Sequence, residues 1–119
     1  EEKEFIDKDA IFYTHQMRSD NSWMDKAIEK LKDNVYLTID LDCFDPSILP
    51  STGTPLPGGM NWWQVIDFIT KVNASKRIVG FDIVELCPNP YDKSSDVLAA
   101  VLCYKVITKI GKKAFLHIL

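Results

Sequence analysis

The sequence predicts an α/β fold, a parallel sheet with flanking helices. Three observations predict it. Short apolar, strand-like runs alternate with stretches whose apolar residues recur at helical spacing. That alternation implies right-handed crossovers onto a parallel sheet. Acidic residues gather where the strand-like runs end, which is where parallel sheets bind their ligands.

Each element has its own signal. Residues 10–14 (AIFYT) read as a short strand. Ser22 is placed to cap a helix with Asp25 as its partner. In that helix Met24, Ala27, Ile28 and Leu31 form one apolar stripe. Val35 to Leu41 is the clearest strand. Asn61 reads as an N-cap with Gln64 at the third helical position, and Trp62, Val65, Ile66, Ile69 and Val72 line the helix that follows. Arg77 to Val84 is a second buried strand. A last helix starts at Ser94 or Ser95 and is apolar nearly all round from Val97 to Ile110, with a polar strip of Lys105, Thr108 and Lys109. Gly111 is expected to end it in a left-handed cap. Sheet should cover one side of this helix and another chain the other. The tail, Lys112 to Leu119, fits a strand or an ordered extension.

The chain has 119 residues and a formal charge of −3, with 46% apolar and 26% charged residues. This suits one soluble domain. It carries no basic footprint for nucleic acid or an anionic membrane, and no run long enough to span a bilayer. Cys43, Cys87 and Cys103 are odd in number and lack CxxC spacing, so neither a disulfide framework nor a zinc knuckle is expected. A reducing, cytoplasmic setting fits. The chain opens on charged residues without an initiator Met, and a piece of a longer protein is expected.

The chemistry centres on YLTIDLDCFDPSILPSTGTPLPGG, residues 36–59. Asp40 and Asp42 stand at i, i+2. On a strand they would share a face, about 7 Å apart at Cα. Two carboxylates so close either share a proton or flank a cation. Hard oxygen ligands favour Mg²⁺ or Mn²⁺. The competing reading has one Asp capping a turn and the other meeting a Lys or Arg. Asp45 precedes Pro46 and fits a turn-starting role. The Pro- and Gly-rich loop after it reads as an ordered site wall.

Glu85 ends the second strand, where its carboxylate could accept a planar guanidinium as a two-pronged fork or form a plain salt bridge. His15 lies beyond the first strand-like run, and Trp62 and Trp63 read as core and rim aromatics. A phosphatase with Asp40 as nucleophile wants Thr or Val where Phe44 stands. A glycosyltransferase DxD leaves the Pro/Gly loop without a purpose.

The segment TIDLDCFDPSILPSTGTPLPGG resembles the signature of the ureohydrolases, the arginase/agmatinase family. Its pattern is S/T-x-D-x-D-x-x-D-P, then P-x-T-G-T-P, then Gly-Gly. GFDIVELCPNPYD, residues 80–92, resembles the family's later strand and its substrate-binding Glu. In detail the chain looks more like bacterial agmatinases than arginases. The resemblance implies a three-layer, arginase/deacetylase-like fold, with residues 1–119 as the C-terminal part of one ureohydrolase domain.

It also implies Asp40 and Asp42 as ligands of a binuclear Mn²⁺ centre, Glu85 as the guanidinium acceptor and Thr54 lining the substrate site. The implied reaction is attack of a metal-bridging hydroxide on a small guanidino substrate, giving urea and an amine, with agmatine preferred. A homo-oligomer is expected of the parent protein. The family's other ligands, a His in a Gly-Gly-Asp-His type motif and an Asp-x-His-x-Asp run, do not occur in the 119 residues. The chain alone is therefore expected to be inactive and to bind Mn²⁺ weakly. The alternatives are a non-catalytic association domain that lost its metal site and a Mg²⁺-dependent phosphatase.

Overall fold

The structure is a computed structural model describing residues 7–17 and 20–116. The order is α1 (Ser22–Lys30), β1 (Asn34–Asp40), α2 (Trp62–Ser75), β2 (Arg77–Val84) and α3 (Ser94–Leu116). β1 and β2 pair in parallel, with one register shift between Val35 and Tyr36. The expected class, a parallel sheet flanked by helices, is the one observed. Of the three-layer order, the described residues supply the sheet and the helices on one of its faces.

Alternation along β1 makes that face. Val35 and Ile39 are buried, and Leu37 is half-buried between them. Ile39 and Leu41 pack with Val65, Ile66 and Ile69 of α2 and with Ala99, Leu102 and Val106 of α3. Val35 and Ile78 pack with Ile28 of α1 and Val72 of α2. Tyr36, Thr38 and Asp40 alternate onto the opposite side and are exposed, Tyr36 at 60%.

The α2 start is the one the sequence predicts. Asn61 Oδ1 accepts from Gln64 N and Gln64 Oε1 accepts from Asn61 N, both at 2.9 Å, closing a capping box. Immediately before it, the residue 45–60 loop returns to the turn that follows β1. Met60 N donates to Cys43 O at 2.7 Å and Asp45 N to Met60 O at 3.0 Å. This close approach passes over Gly59, where a Cβ would stand 2.5 Å from both Asp45 N and the Phe44 carbonyl carbon.

Three expectations are corrected. Residues 10–14 form no strand: Lys8–Ala10 is a 3₁₀ turn and 14–17 is a turn. Phe12 packs against Trp23, with ring centroids 6.3 Å apart, so the segment serves the helical side. Ser22 is not the N-cap of α1. Asn21 is, without a side-chain capping bond, and Asp25 instead pairs with Lys71 of α2. α3 starts at Ser94, as expected, and Asp92 Oδ1 accepts from Ser94 N at 2.9 Å.

Gly111 does not end α3, which runs on to Leu116. Lys113 Nζ donates to the carbonyls of Asn73, Ala74 and Lys76, satisfying the C-terminal end of α2. That tie gives the helix a reason to continue past its glycine. The tail is thus helical to Leu116, and residues 117–119 lie outside the described ones. No helix among the described residues is long and apolar enough to cross a membrane.

Gly59→Ala is expected to destabilise the fold by on the order of 2 kcal/mol or more, because backbone must move to admit the methyl. Asn61→Ala should cost about 1 kcal/mol through its lost cap. Urea unfolding midpoints of both variants check this, and Gly59→Ala should show the larger loss.

Candidate metal and substrate site

The carboxyl ends of β1 and β2 carry the acidic residues. β1 ends at Asp40, and Leu41–Cys43 is a 3₁₀ turn. Asp40 Oδ1 accepts from Asp42 N at 2.9 Å, so its side chain caps that turn. Asp42 therefore stands on the turn and not on the strand. The same-face argument for the pair is corrected: a side-chain-to-backbone bond brings them together instead of strand alternation.

Asp42 is the better-held carboxylate. The Thr54 hydroxyl donates to its Oδ2. That bond, with a lesser effect from the nearby Thr52 hydroxyl, keeps the Asp42 carboxyl below the usual range. Asp42 Oδ1 is buried and has no hydrogen-bond partner. Beside the pair, burial pushes the Cys43 thiol up to about 11, and the Asp40 and Asp42 charges push the same way. Cys43 is thus a neutral thiol near pH 7.

The loop that brings Thr54 to Asp42 is fixed from two sides. Ser51 N donates to the hydroxyl of fully buried Ser95 at 3.2 Å. Cys87 N donates to Ser51 O at 2.9 Å, and Thr52 bridges to Leu86. Glu85 sits inside this crossing with φ 67°, a left-handed conformation unusual for a residue with a side chain. Its carboxylate reaches the Thr-Gly-Thr turn, where Oε2 lies 3.7 Å from the position a Cβ on Gly53 would take. Asp40, Asp42, Thr54 and Glu85 are thus gathered over the ends of the two strands.

Asp45 belongs to the loop's framework. Its Oδ1 accepts from Ser47 N at 3.0 Å and its Oδ2 from Gly58 N at 2.8 Å. The Ser47 hydroxyl and these backbone donors hold its carboxyl at about 2. His15 lies on the 14–17 turn, stacked on Tyr13 with ring centroids 5.7 Å apart. Sequence reasoning passed over Thr52 and the anchoring role of Ser95. The repeated Thr around Gly53 was a usable signal for the first. For Ser95 none existed, because its partner is 44 residues away.

A cation fits these residues in part. Asp40 and Asp42 offer hard oxygens, and the bare, buried Asp42 Oδ1 lacks the partner that such an atom normally has. Among the described residues, however, no three His, Cys, Asp or Glu side chains converge as a full metal-binding group.

The parallel sheet with helices packed on it has an arginase/deacetylase-like architecture. The chain belongs to the arginase family, whose model matches residues 1–108. This is a family of hydrolases acting on guanidino compounds. The chain is 40% identical over 105 residues to N(1)-aminopropylagmatine ureohydrolase of Thermus thermophilus, covering 88% of this chain and 36% of that protein. It is 34% identical over 107 residues to agmatinase of Pyrococcus horikoshii, covering 90% and 38%. Among solved structures, agmatine ureohydrolase of Thermoplasma volcanium superposes with a TM-score of 0.76 at 31% identity, over 98% of this chain and 41% of that one. The chain spans little more than a third of the length of these curated relatives.

Two outcomes are expected from this geometry. The Asp45 carboxyl is lower in the folded chain than its unfolded value of about 3.9. The stability it gives is present above about pH 4 and is lost as pH falls towards about 2. Asp45→Asn should flatten acid unfolding in that window, measured by circular dichroism against pH. Glu85→Gly should relieve the left-handed strain and raise stability by about 1 kcal/mol while removing the carboxylate. A lowered urea midpoint in that variant would show that the Glu85 side chain stabilises more than its backbone costs.

Proposed function

We propose that the chain is the C-terminal part of a ureohydrolase domain that hydrolyses a small guanidino compound to urea and an amine, using Mn²⁺. The single observation that carries the reading is Asp42. One of its oxygens is held by Thr54 and the other is buried and bare, beside Asp40 and across the turn from Glu85.

In this reading Asp40 and Asp42 are the metal-holding carboxylates. Mn²⁺ bound there would supply Lewis acidity and lower the pKa of water. Thr54 fixes the Asp42 carboxylate by donating its proton to Oδ2. Glu85 receives the guanidinium, whose planar fork suits a carboxylate. Its fixed left-handed backbone sets the carboxylate's direction before substrate arrives, which limits the ordering that binding requires. The Pro- and Gly-rich loop, clamped by Asp45, walls the site.

Agmatine is the proposed substrate. The name of the Thermus relative adds N(1)-aminopropylagmatine, which shares the guanidino end. The partial donor set supports the proposal that this chain alone is inactive. The free cysteines support a cytoplasmic setting. The exposed Val97, Tyr104 and Ile107 on α3 support a homo-oligomer. The same two features, the incomplete donor set and the open α3 face, favour a second reading: an association domain without chemistry.

The deciding assay is urea release with Mn²⁺ from agmatine, N(1)-aminopropylagmatine, arginine and guanidinobutyrate. The expected result is no urea from this chain alone, and urea from the chain joined to an upstream portion of the domain. Asp40→Asn or Glu85→Gln in the longer form should lower the rate at least about a hundredfold. Urea from the isolated chain would overturn the partial-site reading. No urea from any of the four guanidines with the longer form would favour the association domain.

A further inference from the structure

The end of the sheet away from the acidic site has a cleft of its own. Asp33 stands just before β1 and Arg77 opens β2, so both lie at the amino ends of the strands. By the rise of a strand, Glu85 is about 25 Å from Arg77. The cleft has a volume of about 790 Å³, and its wall includes Asp33, Ser75, Lys76, Arg77, Ile110 and Lys113. That is room for a small metabolite. Three cations and one carboxylate share the wall. Among the described residues the ion pairs are Lys71 with Asp25 and Lys93 with Asp96, so neither Lys76 nor Arg77 has an acidic partner. Asp33 takes the Arg77 amide on its main-chain oxygen at 2.8 Å, while its carboxylate leaves the guanidinium unpaired.

Lys113 removes what would otherwise keep an anion out. The C-terminal end of a helix presents bare carbonyls and a partial negative charge. At the end of α2 the carbonyls of Asn73, Ala74 and Lys76 all accept from Lys113 Nζ, at 3.4 Å for Ala74 and 2.8 Å for Lys76. An ammonium has three donors, so Lys113 spends them all there and brings only its charge to the cleft. We propose that this cleft binds a small phosphate-bearing molecule, held by Arg77 and Lys76 with Lys113 as a fixed charge. A planar guanidinium grips two phosphate oxygens as a fork, and a lysine adds a point charge to a third. Two cations without acidic partners match a dianion better than a single carboxylate. The Asp33 carboxylate opposes the ligand and limits its affinity. None of these residues belongs to the site at the carboxyl ends of the strands, so the proposal stands apart from the metal reading.

The test is titration of the whole chain with inorganic phosphate, read from backbone amide chemical shifts, with sodium chloride at matched ionic strength as the control. Wild type should show saturable shifts at Asp33 and at residues 75–78, and none at Asp40, Asp42 or Thr54. Arg77→Gln removes the fork and should weaken binding about 10- to 100-fold. Asp33→Asn removes the opposing charge and should tighten binding about threefold. Both side chains are exposed, so both variants should melt as wild type does. No saturable shift in wild type overturns the proposal, as do shifts that chloride reproduces or that fall at the carboxyl ends of the strands. Equal affinity in Arg77→Gln and wild type overturns it. Weaker binding in Asp33→Asn overturns it too, because the carboxylate would then be holding the ligand and not repelling it.

Discussion

The crossing of two loops above the sheet is the constraint on which the rest of the site depends. Ser51 O takes the Cys87 amide, Thr52 bridges to Leu86, and Ser95 closes the arrangement from beneath. These are a handful of hydrogen bonds between segments far apart in sequence. They fix the direction of the Thr54 hydroxyl, the left-handed backbone of Glu85 and the burial of Asp42 Oδ1 together. A non-glycine residue at φ 67° costs about 1–2 kcal/mol and persists only where its surroundings over-determine it. The crossing does so.

The sheet and helices hold that crossing in place. Parallel pairing of β1 and β2 puts both carboxyl ends on one side. The capping box at Asn61 and the Met60 bonds to Cys43 and Asp45 return the long loop to where it began. At the far end, Lys113 closes the last turn of α2. α3 serves both ends: Ser95 anchors the site loop near its start, and Lys113 reaches α2 near its finish. A change in how α3 sits would be felt at Asp42 through Ser95 and the Ser51–Thr54 loop.

Much of this was legible in the chain. The span of β2, the Asn61–Gln64 cap and the buried stripe of α2 follow from local rules, and the structure has all three. The gathering of Asp40, Asp42, Thr54 and Glu85 was legible through a family resemblance. Where local reading failed, a distant partner had intervened. AIFYT has strand propensity but packs Phe12 on Trp23. Asp25 reads as a capping partner but pairs with Lys71. Gly111 reads as a stop, yet α3 continues to where Lys113 meets three carbonyls of another segment.

The sequence by itself determined the class of fold, the Asn61–Gln64 cap of α2, and the identity of the acids at the strand ends. Those depend on periodicity and on contacts a few residues apart, which any reader of the chain can count. Only the tertiary structure decided that Asp42 leaves the strand, that Thr54 and not a lysine holds it, and that Thr52 and Ser95 matter at all. Their meaning comes from hydrogen bonds across dozens of residues and from burial. Neither exists until the two loops are laid across each other.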